Sequence, residues 1–205
     1  MIADIDPTAL ITSSIVATSE RENTLLSASF NGFNRNITNV IIYDYTSNPV
    51  KYVNLNKQHD YGAELDLNYS SKKWQLNASY AYITGKLTDK SSEKDSSYYN
   101  LVRRPKNAVK LFAGYNITPA FFVSTSIQFT GKRTDNYFNP VTFASSQVDL
   151  NAYTIWNAYM QYNLAKNKIS LFIDVKNIAN KTNYYEVYGY NVEGINVTGG
   201  IRFNF

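Results

Sequence analysis

The final stretch of the chain limits its fold more than any other feature. Over residues 195–205, Ile195, Val197, Gly199, Ile201, Phe203 and Phe205 fall on one face of an extended strand, and Asn196, Thr198, Gly200, Arg202 and Asn204 on the other. Strict period-two alternation means one apolar and one polar surface. It runs to a terminal aromatic, where soluble domains usually finish in a few loosely held polar residues. A barrel strand crossing a bilayer, apolar toward lipid and polar toward a wet lumen, needs this pattern over about 9–11 residues.

The pattern recurs along the chain. Tyr61, Ala63, Leu65, Leu67 and Tyr69 oppose Gly62, Glu64, Asp66 and Asn68; Trp74, Leu76, Ala78, Tyr80 and Tyr82 oppose Gln75, Asn77, Ser79 and Ala81. Val109–Ile117, Phe121–Phe129, Trp156–Leu164 and Ile169–Val175 repeat it. A weaker strand is expected at Ile11–Ala17, and another from Leu26, broken at Gly32 and Asn34–Asn36 and resumed at Val40–Tyr45. About nine strands result. Short reversals at 70–73, 117–119 and 165–168 alternate with long polar loops at 88–100, 134–149 and 179–193. Short turns on one rim and long loops on the other are the arrangement of outer-membrane barrels. Aromatic residues near strand ends (Tyr69, Trp74, Phe121, Tyr162) match interfacial girdles.

Composition agrees. Hydrophobic residues make up 44% and aromatic residues 15%, with 18 Tyr and 11 Phe, yet the mean hydropathy is −0.34. Apolar residues here alternate with polar ones instead of clustering, and no run is long enough for a membrane-crossing helix. A soluble sandwich or lipocalin-like barrel also has alternating strands. Its dry core, however, would not accept the Asn, Gln, Asp, Glu and Arg of the second face unpaired. The charge of +4 is dispersed, which argues against a nucleic-acid partner. Without cysteine there is no disulfide or thiolate metal site. The start, Met1-Ile2-Ala3-Asp4-Ile5-Asp6-Pro7, lacks the basic then apolar character of a signal peptide, so an export signal is expected upstream and the chain is expected to be a fragment. An odd strand count leaves two options: a spurious first strand and a closed eight-stranded barrel, or part of a larger one.

Several stretches, in order, resemble the C-terminal part of a TonB-dependent outer-membrane receptor. They are Val53-Asn54-Leu55-Asn56-Lys57 followed by Gly62-Ala63-Glu64-Leu65; Leu101-Val102-Arg103-Arg104-Pro105-Lys106; Phe129-Thr130-Gly131-Lys132-Arg133; Val175-Lys176-Asn177-Ile178 with Lys181 and Tyr184; and the Phe-terminated last strand. Within that family the chain looks most like the vitamin B12 (cobalamin) transporters, through Arg103-Arg104, Gly131-Lys132-Arg133-Thr134-Asp135 and Tyr185-Glu186-Val187-Tyr188-Gly189-Tyr190. The resemblance implies an all-β, antiparallel transmembrane barrel of about 22 strands, of which residues 1–205 are a C-terminal segment, with the plug domain absent. It also implies a bacterial outer-membrane location, a scarce nutrient such as cobalamin or a ferric siderophore as substrate, and TonB engaged through a missing N-terminal region. Ile195 follows Gly194 where the family often has Gly-Arg.

Candidate functional residues follow. The loop aromatics Tyr98, Tyr99, Tyr137, Phe138, Tyr184, Tyr185, Tyr188 and Tyr190 offer apolar faces plus hydroxyls to a bulky amphipathic small molecule. Arg103 and Arg104 are suited to an anionic ligand group, or to pairing with lumenal Glu64 or Asp66. Val197, Ile201, Phe203 and Phe205 resemble the signal read by the barrel-assembly machinery, and also suit plain lipid contact. No catalytic residue, metal site or cofactor is expected. Two other readings remain: a stand-alone eight-stranded anchor or adhesin, and an outer-membrane lipase centred on His59.

Overall fold

Ladders of antiparallel hydrogen bonds account for nearly all of the architecture. The computed structural model describes residues 10–44, 49, 51–89, 96–98, 102–164 and 168–203. In chain order the strands are β1 (Leu10–Arg21), β2 (Thr24–Asp44), β3 (Lys51–Ser70), β4 (Trp74–Asp89), β5 (Ser96–Tyr98), β6 (Asn107–Thr118), β7 (Phe121–Thr130), β8 (Arg133–Asn139), β9 (Ala144–Leu150), β10 (Tyr153–Leu164), β11 (Ile169–Lys176) and β12 (Asn196–Phe203). Nine form one sheet in the order β1-β2-β3-β4-β6-β7-β10-β11-β12; β5 pairs with β4, and β8 and β9 form a separate hairpin. Tight reversals occupy one rim. Asn23 takes the left-handed conformation (φ 65°) between β1 and β2, which a short polar side chain tolerates. The Ser71 hydroxyl accepts the Trp74 N–H at 3.0 Å and Thr118 Oγ1 the Phe121 N–H at 3.0 Å, closing two more.

Register converts the alternation into two surfaces. Leu26, Tyr69, Leu76, Ala113, Thr125, Ala158, Val175 and Val197 lie side by side across eight strands. One residue on, Ser27, Asn68, Asn77, Phe112, Ser126 and Asn157 make the matching row on the other face. Thr125, the polar residue of the first row, is fully engaged: its hydroxyl donates to the Asn157 carbonyl at 2.9 Å and accepts the Trp156 indole N–H at 2.5 Å.

The molecule has no interior of the soluble kind. Among the described residues, the buried hydrophobic side chains are Leu150, Tyr153 and Tyr184, all at the long-loop end. Leu65, Leu67, Leu76, Leu111, Ile127, Trp156 and Leu171 stay substantially exposed. Water would penalise such a surface heavily, whereas a bilayer solvates it. The sheet is an antiparallel barrel wall with its apolar face toward lipid. Within the described residues β1 pairs only with β2 and β12 only with β11. Hydrocarbon tolerates no open edge, so in a bilayer both of these edges have to be covered.

The weak strand expected at Ile11–Ala17 is present as β1, paired with β2 from Leu10↔Arg35 to Arg21↔Thr24, so nine strands of the wall are described, as expected, and the option of a spurious first strand falls. Two expectations are corrected. β2 runs unbroken through Gly32 and Asn34–Asn36, because ladders on both sides outweigh local propensity. Part of the expected loop 134–149 is the β8–β9 hairpin. β3 and β4 also stay paired out to Lys57↔Thr88, past the Tyr82↔Asn107 level where β6 begins, so they project about 20 Å beyond that rim. Asp60, fully buried, anchors the projection by accepting from Arg35 and, at 2.6 Å, from Gln58. It lies over Gly85, where a Cβ would come within 2.2 Å of its carboxylate.

Two stability outcomes follow. In lipid vesicles, Leu111→Arg should lower the unfolding free energy by about 2–4 kcal/mol, while Asn77→Arg on the wet row costs about 1 kcal/mol or less; urea titration measures both. Gly85→Ala must displace Asp60, costing about 1–3 kcal/mol, and should raise hydrogen exchange in the projecting β2–β3 segment ahead of the wall.

Candidate functional site

Three segments meet above the long-loop rim: residues 102–106, the β8–β9 hairpin, and 177–195. Asp135 joins them. Its carboxylate is fully buried and accepts from Arg103 Nε at 2.7 Å, from the Tyr188 N–H at 2.8 Å and from the Asn136 N–H at 2.8 Å. Arg103 also donates its backbone N–H to the Thr134 carbonyl at 2.7 Å, and its φ of 63° turns it toward the hairpin. Burial works to raise the Asp135 pKa. The Tyr188 and Arg103 hydrogen bonds, helped by the Asn136 N–H, outweigh it and hold the carboxyl below the ordinary value of 3.8. Gly131 lets the chain enter the hairpin: its N–H reaches the Asn107 carbonyl at 2.9 Å, and a Cβ there would stand 2.7 Å from that oxygen.

An aromatic stack continues from this hub. The buried Arg133 donates to the Tyr185 carbonyl and lies over the Tyr153 ring at 5.0 Å. Tyr153 stacks on Tyr184 with centroids 3.9 Å apart, and its hydroxyl reaches Glu186 at 3.4 Å. Burial, and then the Glu186 charge, push the Tyr184 phenol above its usual value. Tyr188 packs edge-on against Tyr137 at 5.0 Å and beside Tyr185 at 5.6 Å.

Asn177 closes the last loop on itself. It is buried, with φ 52°. Its N–H donates to Asn157 Oδ1, its amide to the carbonyls of Lys181 and Glu193, and its Oδ1 accepts the Lys181 N–H. Asn180 Oδ1 accepts the Ile195 N–H at 2.9 Å, tying in the start of β12.

Beneath these loops lies a cavity of about 800 Å³ on the wet side of the wall. Gln128, Tyr153, Ile155, Asn157 and Lys176 come from the strands, and Arg103, Tyr184, Glu186 and Tyr190 from the mouth. Phenol faces beside both cationic and anionic groups suit a large amphipathic ligand. Among the described residues, no three His, Asp or Glu side chains converge as a metal site.

Of the residues expected at the site, Tyr184 and Tyr190 line the cavity, while Tyr137, Tyr185 and Tyr188 buttress it. Phe138 lies apart at the hairpin tip against Phe143. Tyr98 belongs to β5, and Tyr99 falls outside the described residues. Arg103 pairs with Asp135 and not with Glu64 or Asp66, which sit deeper in the wall opposite Ala81 and Ser79; Arg104 follows it in the same turn. Val197, Ile201 and Phe203 are exposed on the lipid face, and Phe205 lies outside the described residues. The His59 ring contacts Asn34 Oδ1 at 2.6 Å and the Tyr61 ring. Asp135, Tyr153, Lys176, Asn177 and Glu186 were not among the expected site residues. Tyr153 could have been found as an aromatic in the wet-face register of β10.

Comparison with known proteins identifies the architecture. Residues 21–178 match the family model described as TonB dependent receptor-like, beta-barrel. A probable TonB-dependent siderophore receptor of Acinetobacter baumannii, PiuA, is 25% identical over 169 residues, covering 77% of this chain and 22% of that protein. The structure of the pyoverdine outer membrane receptor FpvA from Pseudomonas aeruginosa superposes with a TM-score of 0.72 at 19% identity, over 95% of this chain and 29% of that one. The crystal structure of A. baumannii PiuA gives a TM-score of 0.67 at 22% identity, over 94% and 28%. The chain thus spans less than a third of each of these relatives. Its match to the family model over most of its length, on a lipid-facing antiparallel wall, establishes that this chain belongs to the β-barrel of the TonB-dependent receptors, a family of the bacterial outer membrane.

Proposed function

We propose that this wall is the C-terminal segment of a receptor that captures a ferric siderophore at its outer mouth and passes it inward by TonB-dependent uptake. The cavity of about 800 Å³ under three interlocked outer loops carries the reading. A siderophore-class substrate is preferred to a cobalamin-like one because the relatives PiuA and FpvA are described as siderophore and pyoverdine receptors. Binding and gated passage need no covalent chemistry. Tyr184 and Tyr190 offer ring faces to the organic shell of the chelate, and Arg103 and Lys176 offer charge to its anionic groups. The iron would arrive already chelated. TonB would act through an N-terminal region beyond these residues, and Val197, Ile201, Phe203 and Phe205 would present the strand read by the barrel-assembly machinery.

Two outcomes test this. In iron-starved cells lacking their other siderophore receptors, the full-length protein should support radioactive-iron uptake from a ferric siderophore, abolished without TonB. Tyr184→Ala with Tyr190→Ala should weaken surface binding about fivefold or more, as loss of two ring contacts worth about 0.5–1.5 kcal/mol each implies; unchanged binding would reject the assigned mouth. The Asp135 hub adds a pH dependence. Because the folded carboxyl titrates below 3.8, its stabilisation is complete above that value and is lost as pH falls through the folded pKa. Asp135→Asn should reproduce the acid state at neutral pH, with hydrogen exchange and protease cleavage rising in 133–150 and 177–195 while the wall strands stay protected.

A further inference from the structure

The lipid-facing wall is not uniform. Between the bulky rows lies an apolar trench of about 390 Å³. Its floor is Ala78, Ala113 and Thr125; Leu67 and Leu76 form one side, Leu111 and Ile127 the other. Small side chains on neighbouring strands create the depression. The one polar group on the floor is already spent, since the Thr125 hydroxyl serves the Asn157 carbonyl and the Trp156 indole. The trench therefore offers nothing to water and a concave hydrocarbon surface to lipid.

One end of it approaches the short-turn rim, where β3 reverses into β4 through Ser71, Lys72 and Lys73. That turn is held still. Asn116 donates its side-chain amide to the Lys72 carbonyl at 3.0 Å and its N–H to the Lys73 carbonyl at 2.8 Å. Both lysine side chains are exposed. Beside them, the Trp74 and Tyr115 rings pack 4.4 Å apart at girdle level. From Lys73 to Leu76 the strand advances about 10 Å, a separation that suits a phosphate at the rim and a chain in the trench.

We infer that this face binds one glycerophospholipid of the periplasmic leaflet, with an acyl tail in the trench and its phosphate against Lys72 and Lys73. Three observations select this occupant. The trench is continuous with the face that the bilayer already covers. Its row of Leu76, Ala113 and Thr125 lies on the side nearer the short-turn rim, which in these barrels is periplasmic. The paired ammonium groups complement an anionic phosphodiester. An ordinary wall position contacts a passing tail on one side only; here side chains rise on two sides, and the added dispersion contacts prolong residence.

The test uses the full-length protein reconstituted in nanodiscs of phosphatidylethanolamine and phosphatidylglycerol, extracted into mild detergent and weighed by native mass spectrometry. The wild type should retain one phospholipid. Ala113→Leu, which fills the floor, should cut the retained fraction at least fivefold, and Lys72→Gln with Lys73→Gln should do the same. Ala78→Leu is a second filling variant should Ala113→Leu fail to assemble, and heat-modifiable migration on gels reports assembly. A wild type that retains no lipid, or equal retention in the filled variants, overturns the site. Loss in the filled variants with full retention in the lysine pair overturns the phosphate contact.

Discussion

Hydrocarbon gives a peptide group nothing to bond with, and the rest of the structure depends on that fact. The antiparallel meander satisfies its backbone strand by strand, and the outward side chains obey the same rule. Several polar atoms that face outward bring their own partner: Trp156 with Thr125, Tyr80 with Asn107 at 2.7 Å, His59 with Asn34. On the wet face the constraint relaxes. Asn77 bonds Asn68 at 2.6 Å, and Tyr159, Gln161, Asn163 and Ser170 form a chain, each with capacity left over for water.

A wall without an apolar core offers its outer loops little hydrophobic packing beyond Leu150 and the Tyr153–Tyr184 stack, so polar groups carry much of the mouth. Burying the Asp135 carboxylate is costly by itself, and three converging donors offset the cost. Arg133 is compensated only in part, with a carbonyl at one guanidinium nitrogen and the Tyr153 ring beneath it, while its Nη1 is buried without a hydrogen-bond partner. The Asp135 carboxylate tolerates little variation in geometry, because loss of a donor would leave it buried without compensation. That intolerance helps keep three loops in one arrangement above the cavity.

The wall was legible in the sequence and the mouth was not, for a physical reason. Period-two alternation is local, so the strands around Leu76, Leu111 and Ile127 and the face each side chain takes could be read directly. The failures came where pairing partners decide the outcome. β2 continues through Gly32 and Asn34 because β1 and β3 flank it, and the segment after Arg133 becomes a hairpin through its own cross-strand ladder. Arg103 finds Asp135, 32 residues away, and Asp135 finds Tyr188, 53 residues away. No local pattern encodes either meeting. Tyrosine density in the loops pointed to the right region, yet Tyr153, which supports Tyr184, sat inside a strand and was passed over.

Wall and mouth are nonetheless one mechanical unit, and Asn157 is where they join. It lies on β10 in the wet row, donates its amide to Ser126 on β7 at 3.2 Å, and accepts the N–H of Asn177 at its Oδ1. Asn177 in turn binds both ends of the last loop through Lys181 and Glu193. The same two asparagines border the cavity. Under the proposed function, a ligand pressing on the loop roof would therefore load a hydrogen bond anchored in the ladder. The floor of the cavity is built on paired strands and the roof on loops, so the proposal assigns the movement that would admit or release a ligand to the roof.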